Sequence, residues 1–120
     1  MAPKCNGPNG FVPVRPLDFQ VLTILAEGEL HGYGIVRAAQ EQFPDQPSLK
    51  IGSLYRIVSR MLDHQWIREV PRPKSQPRDN RVRRYYTVTA LGRAVIRAEA
   101  GRMRALLASP AALRLLEADR

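Results

Sequence analysis

The chain has 120 residues, 44% hydrophobic and 25% charged, with 19 Lys and Arg against 11 Asp and Glu for a formal net charge of +8. That length provides for one modest core and leaves little for a second independent domain, although a dimer can extend a core across subunits. The ordinary apolar fraction argues against global disorder, and the basic excess favours an anionic partner: nucleic acid, an acidic protein or an anionic membrane surface.

Cys5 is the only cysteine, so no intrachain disulfide can form, and a reducing, cytoplasmic setting fits. No apolar run is long enough to cross a bilayer, and residues 1–10 lack the apolar core of a signal peptide. Residues 1–16, rich in Pro, Gly and Asn, read as a flexible N-terminal arm.

The first helix is expected over 17–27, with Leu17, Val21, Ile24 and Leu25 on one stripe, Pro16 at its entry and Gly28 after its last turn. A short second helix begins near Gly32, carries Ile35, Ala39 and Phe43 at four-residue spacing, and stops at Pro44. Residues 44–48 form a turn. The third helix spans about 50–64, with Ile51, Leu54, Val58, Met61 and Leu62 as its apolar stripe. Lys50, Ser53, Arg56 and Arg60 read as its polar and basic outer face.

Two strands follow, 66–70 and 82–88. The loop between them, residues 71–81, carries Arg72, Lys74, Arg78 and Arg81. Alternation in the second strand sets Tyr86 and Val88 on one side and Arg83 and Tyr85 on the other, with Tyr86 expected in the core and Tyr85 outside. Thr89 suits an N-cap, opening a helix over about 90–108, and Ser109-Pro110 starts a further short helix over about 111–118.

The predicted fold class is mainly α with a small β-hairpin: a winged helix-turn-helix domain over 17–88 and a C-terminal helical dimerisation region over 89–120. A helix fits the major groove, and an Arg can donate two hydrogen bonds to a guanine edge. A basic loop at the tip of a hairpin can meet phosphates or the minor groove. An Arg-lined helix face or a basic loop alone is most often only solvated. Both in this order make nucleic acid the favoured partner.

Three segments carry a more specific signal. Leu30-His31-Gly32-Tyr33-Gly34-Ile35 resembles the "hGYgI" signature of the PadR family of bacterial regulators. Ile51-Gly52-Ser53-Leu54-Tyr55 resembles its "pGtLY" recognition-helix opening, and the run from Arg84 to Arg93 resembles its "kYYrLTeeGr" segment. The resemblance covers about residues 17–108. It implies a winged helix with a C-terminal dimerisation helix, and transcriptional repression often relieved by a small molecule, here an effector of unknown identity. It also implies that Tyr33 and Tyr55 lie near DNA.

The DNA-contacting set on this reading is Tyr33, Lys50, Ser53, Tyr55, Arg56, Arg60, Lys74, Arg78, Arg81, Arg83 and Tyr85. The C-terminal region has more apolar side chains than one small domain covers, so Val95, Met103, Leu106, Leu107, Leu113 and Leu116 are the candidate dimer contacts. The expected partners are double-stranded DNA and a second copy of the chain, with no membrane and no cofactor. The chain shows no catalytic constellation and no metal-ligand spacing, because His31 and His64 pair with neither Cys nor each other. A winged helix module that binds protein is the alternative.

One departure from the family pattern falls at Gln65, where the family carries Gly after the recognition helix. A non-Gly residue with positive φ costs energy, so a different local turn, with a slightly longer helix, is expected there. Trp66, the only tryptophan, reads as a core cap on the hairpin, ahead of an effector-stacking ring or a subunit contact.

Overall fold

The computed structural model describes residues 8–74 and 83–118. After a 3₁₀ turn at Pro8–Phe11 the elements run α1 (Pro16–Glu27), β1 (Leu30–His31), α2 (Gly32–Gln42), α3 (Ile51–Asp63), β2 (Ile67–Val70), β3 (Tyr85–Val88), α4 (Ala90–Leu107) and α5 (Pro110–Ala118). The helices and the two long strands fall within a residue or a few of the expected spans. The sheet, however, has three strands rather than two, in the order β1-β3-β2, all antiparallel. β1 is two residues long, too short for any alternation to show, and pairs Leu30 with Tyr86 and His31 with Tyr85.

The core is built from one stripe of each helix and the inner face of the sheet. Val21, Leu22, Ile24 and Leu25 of α1, Ile35 and Ala39 of α2, and Leu54, Ile57, Val58 and Met61 of α3 are buried together with Ile67, Tyr86, Val88 and Val95. α1 is the central rod, packing on α2, α4 and β3. The segment expected to be a flexible arm is partly structural: Val14 is buried in the core, and the 3₁₀ turn packs on α4.

Three local arrangements explain why the chain turns where it does. His31 caps α2, its ring Nδ1 accepting the Gly34 N–H at 3.1 Å. Thr89 caps α4, its Oγ1 accepting the Gly92 N–H at 3.0 Å and donating to the carbonyls of Gln65 (2.6 Å) and Trp66 (3.0 Å). That closeness fixes residue 92, since a Cβ there would overlap the Trp66 carbonyl and lie 2.6 Å from Val88 Cγ2.

The third arrangement corrects the expectation at Gln65. α3 ends at Asp63, and Gln65 adopts the left-handed conformation at φ 63° that the glycine of the family pattern would take. The Gln65 N–H donates to Leu62 O and the Trp66 N–H to Met61 O, each at 3.0 Å, which satisfies the last carbonyls of the helix. Trp66 and Met61 are both buried in the core. The turn is kept and its backbone cost is absorbed.

Candidate nucleic-acid interface

The N-terminal ends of α2 and α3 and the start of β3 converge on one surface. Tyr33, at the second position of α2, and Tyr55, one turn into α3, are both about half exposed, at 51% and 56%. Arg83 reaches this surface from the hairpin: its guanidinium lies over the Tyr33 ring, 5.6 Å from the centroid, and its Nη1 is 3.3 Å from His31 Nδ1. A concavity of about 230 Å³ opens between these side chains, lined by His31, Gly32, Tyr33, Tyr55, Arg83, Arg84 and Tyr86. Burial raises the pKa of Tyr86 above the usual phenol value, against an opposing pull from Arg84, so its hydroxyl stays protonated at neutral pH. Phenols and guanidinium groups around a concavity are a donor set suited to a phosphodiester.

Arg56 is exposed on α3, and Lys50, at its N-cap, is exposed as well. Ser53 is half-buried. Lys74 is exposed at the edge of the loop after β2, whereas Arg78 and Arg81 lie outside the described residues.

Two members of the expected set are placed otherwise. Tyr85 does not face outward. It is only 3% exposed: β1, the strand that the sequence conceals, makes β3 the middle strand, so that Tyr85 lies between His31 of β1 and Val70 of β2, with the His31 ring edge-on to it and centroids 5.2 Å apart. Arg60 is held by the fold: its guanidinium donates to the carboxylate of Asp18 in α1, Nη2 to Oδ1 at 2.8 Å and Nε to Oδ2 at 3.2 Å. Asp18 is buried and acceptor-only, so it needs such a partner. A buried acid in the first turn of α1 is what the sequence reading missed. Asp18 follows Leu17 inside an apolar run, and that placement is the available signal.

The C-terminal set divides similarly. Val95 is fully buried in its own chain, and so fills the core rather than an interface. Met103 is half-buried at the rim of a cavity of about 660 Å³ that Phe19, Phe43, Pro13, Val14 and the Glu99–Arg102 pair also line. Leu106, Leu107, Leu113, Leu115 and Leu116 are exposed, and no residue of α5 is buried. Trp66 is a core residue, with the Phe11 ring edge-on at 5.3 Å and the His64 ring stacked at 4.9 Å.

A model of the PadR-like family of transcriptional regulators matches residues 21–98. The chain belongs to that family. The match contains the Leu30–Ile35, Ile51–Tyr55 and Arg84–Arg93 motifs, which here prove to be β1 with the cap of α2, the opening of α3 and the β3–α4 junction. Among solved structures, PadR of Bacillus subtilis in complex with operator DNA is 24% identical, with a TM-score of 0.58 over 71% of this chain and 46% of that one. This chain thus spans just under half the length of that protein. A PadR family regulator from Clostridium difficile is 22% identical, with a TM-score of 0.63 over 75% of this chain and 88% of that one. RosR of H. salinarum is 17% identical at a TM-score of 0.60, covering 90% and 91%. These likenesses establish the PadR-like winged helix fold. No curated protein sequence matches the chain. Among the described residues no helix is long and apolar enough to cross a membrane, and no His, Cys, Asp and Glu cluster is suited to a metal.

Proposed function

We propose that this PadR-like chain is a cytoplasmic, sequence-specific DNA-binding repressor that acts as a homodimer on a two-fold symmetric operator. The observation that carries the reading is the convergence of Tyr33, Tyr55 and Arg83 around one concavity at the start of α3, with Arg56 exposed on the same helix. A helix presented this way fits the major groove, with the Tyr and Arg side chains at its N-terminal end meeting the flanking phosphates. The net charge of +8 and the operator bound by the B. subtilis protein support the same partner.

Dimerisation is supported by the five exposed leucines of α4 and α5, an apolar run too large for a solvated helical arm. A two-fold dimer would set two α3 helices about one turn of DNA apart. The cavity beside α4 is lined by two phenylalanines and reaches Arg102, which makes it the place for a small effector to bias that spacing.

The test is a salt series. A duplex selected by the purified protein from a random 30-base-pair library should bind with an affinity that falls steeply as salt rises, by about 0.9 log units per phosphate contact for each tenfold increase. Sedimentation should give a dimer. Failure to select any duplex would favour the protein-binding alternative, and a stable monomer at micromolar concentration would remove the two-fold operator.

A further inference from the structure

The exposed face of α3 differs from the one that charge pattern alone suggests. Gly52, Tyr55, Arg56, Ser59 and Asp63 are exposed, while Ser53 and Arg60 are half-buried and Arg60 is tied to Asp18. At 3.6 residues per turn the outer line is rotated by roughly a quarter turn from the Ser53–Arg56–Arg60 line. Gly52 lies on this outer line, three residues before Tyr55 and four before Arg56.

Nothing in the fold requires a glycine at position 52. Its backbone is helical rather than left-handed, and a Cβ built there has no heavy atom within 4 Å. Two other glycines of the DNA-side motifs have reasons within the chain, while Gly32, where a Cβ would lie 3.4 Å from Leu54 Cδ2, is at least packed against α3. A Cβ at Gly34 would sit 3.2 Å from Leu30 Cδ2, and one at Gly92 would overlap the Trp66 carbonyl. Gly101, the remaining helical glycine with open space around it, lies in α4, the segment read as the contact with a second copy. Glycine weakens a helix because it has the most backbone freedom to lose. Its presence at an open position on the exposed line calls for a reason outside the chain.

We propose that α3 meets DNA along the line Gly52–Tyr55–Arg56–Ser59, and that Gly52 is a clearance position. Its missing side chain lets the duplex come against the helix backbone, and this brings the base edges within reach of Arg56 and Ser59. Arg60 is a positioning residue that sets the rotation of the helix through Asp18. The inference rests on the DNA-binding reading above and deepens it.

Gly52→Ala and Ser59→Leu are the variants, measured on the duplex that the wild type selects from the random library, by fluorescence anisotropy at fixed salt and with a thermal melt alongside. Gly52→Ala is expected to melt at the same temperature as the wild type or higher and to bind at least tenfold more weakly. Ser59→Leu, on the same line, is expected to lose a similar factor with its fold intact. Stability and affinity moving in opposite directions at Gly52 is a result that a purely structural glycine cannot give. Wild-type affinity in both variants overturns the proposal while leaving the DNA-binding reading standing, as does a lowered melting point that accounts for the loss in both. A wild type that selects no duplex overturns both.

Discussion

The Arg60 guanidinium of α3 holds the buried Asp18 carboxylate of α1 through hydrogen bonds of 2.8 to 3.2 Å. The pair joins the helix proposed to lie on DNA to the central rod of the domain. Removing Arg60 leaves a carboxylate buried with no cation. Arg60 is a third exposed, so water screens part of the interaction, and Arg60→Ala is expected to cost about 1–3 kcal/mol in urea unfolding. Arg60→Lys should restore only part of it, because an ammonium cannot make the forked pair. On DNA, Arg60→Ala should weaken binding without changing the sequence selected from a random library. A change of preferred base at one position would show that Arg60 reads DNA directly.

Arg56 is the residue expected to read a base. Arg56→Ala should cost about 1–3 kcal/mol on the selected duplex and relax preference at one position per half-site. Lys74→Ala, on the wing, should instead weaken selected and scrambled duplexes alike and flatten the salt dependence by about 0.9 log units for each phosphate that is no longer neutralised. Equal losses on both duplexes for Arg56→Ala, with discrimination lost only in Lys74→Ala, would exchange the two roles.

Gly92→Ala tests the β3–α4 junction. The added methyl would meet the Trp66 carbonyl, which cannot retreat freely because the Thr89 N–H (2.9 Å) and hydroxyl (3.0 Å) both donate to it. Overpacking of this kind costs about 1–3 kcal/mol. Trp66 is the only tryptophan, so its emission should shift to the red if the junction opens. An unchanged melting temperature with unchanged emission would mean that α4 shifts to make room without cost.

These junctions show how far the sequence could be read. The helix stripes were legible because apolar residues recur at three and four positions over more than two turns. Thr89 was legible as a cap because its hydroxyl acts within its own turn. β1 was hidden, since two residues cannot show a period, and the outward placement of Tyr85 failed with it. Arg60 was read by spacing as part of the outer face of α3, but its position is decided by Asp18, 42 residues earlier in the chain. Gln65 shows the reverse case: the family pattern was the better guide, because the backbone bonds at the end of α3 offset a left-handed glutamine.

Acid should act on the fold through Glu99. This α4 carboxylate is buried, and its pKa is held below the ordinary value of 4.5, first by two hydrogen bonds from Arg102 (2.8 and 2.7 Å) and then by the Val14 N–H, against the opposing effect of burial. A folded pKa below the unfolded one means that the unfolded chain binds the proton more readily. The stabilisation is therefore fully present above about pH 4.5, and it is lost as pH falls through the lower folded value. Val14 belongs to the segment that carries the 3₁₀ turn onto α4, so that segment should loosen together with the pair. Glu99→Gln keeps the shape and removes the titration. It is expected to be less stable than the wild type at pH 7 and to lose less stability between pH 5 and pH 3, so that the two melting curves converge in acid. Trp66, against Phe11 from the same segment, gives a local readout beside the global melt. Parallel loss of stability in wild type and Glu99→Gln down to pH 3 would show that Glu99 does not govern the acid response.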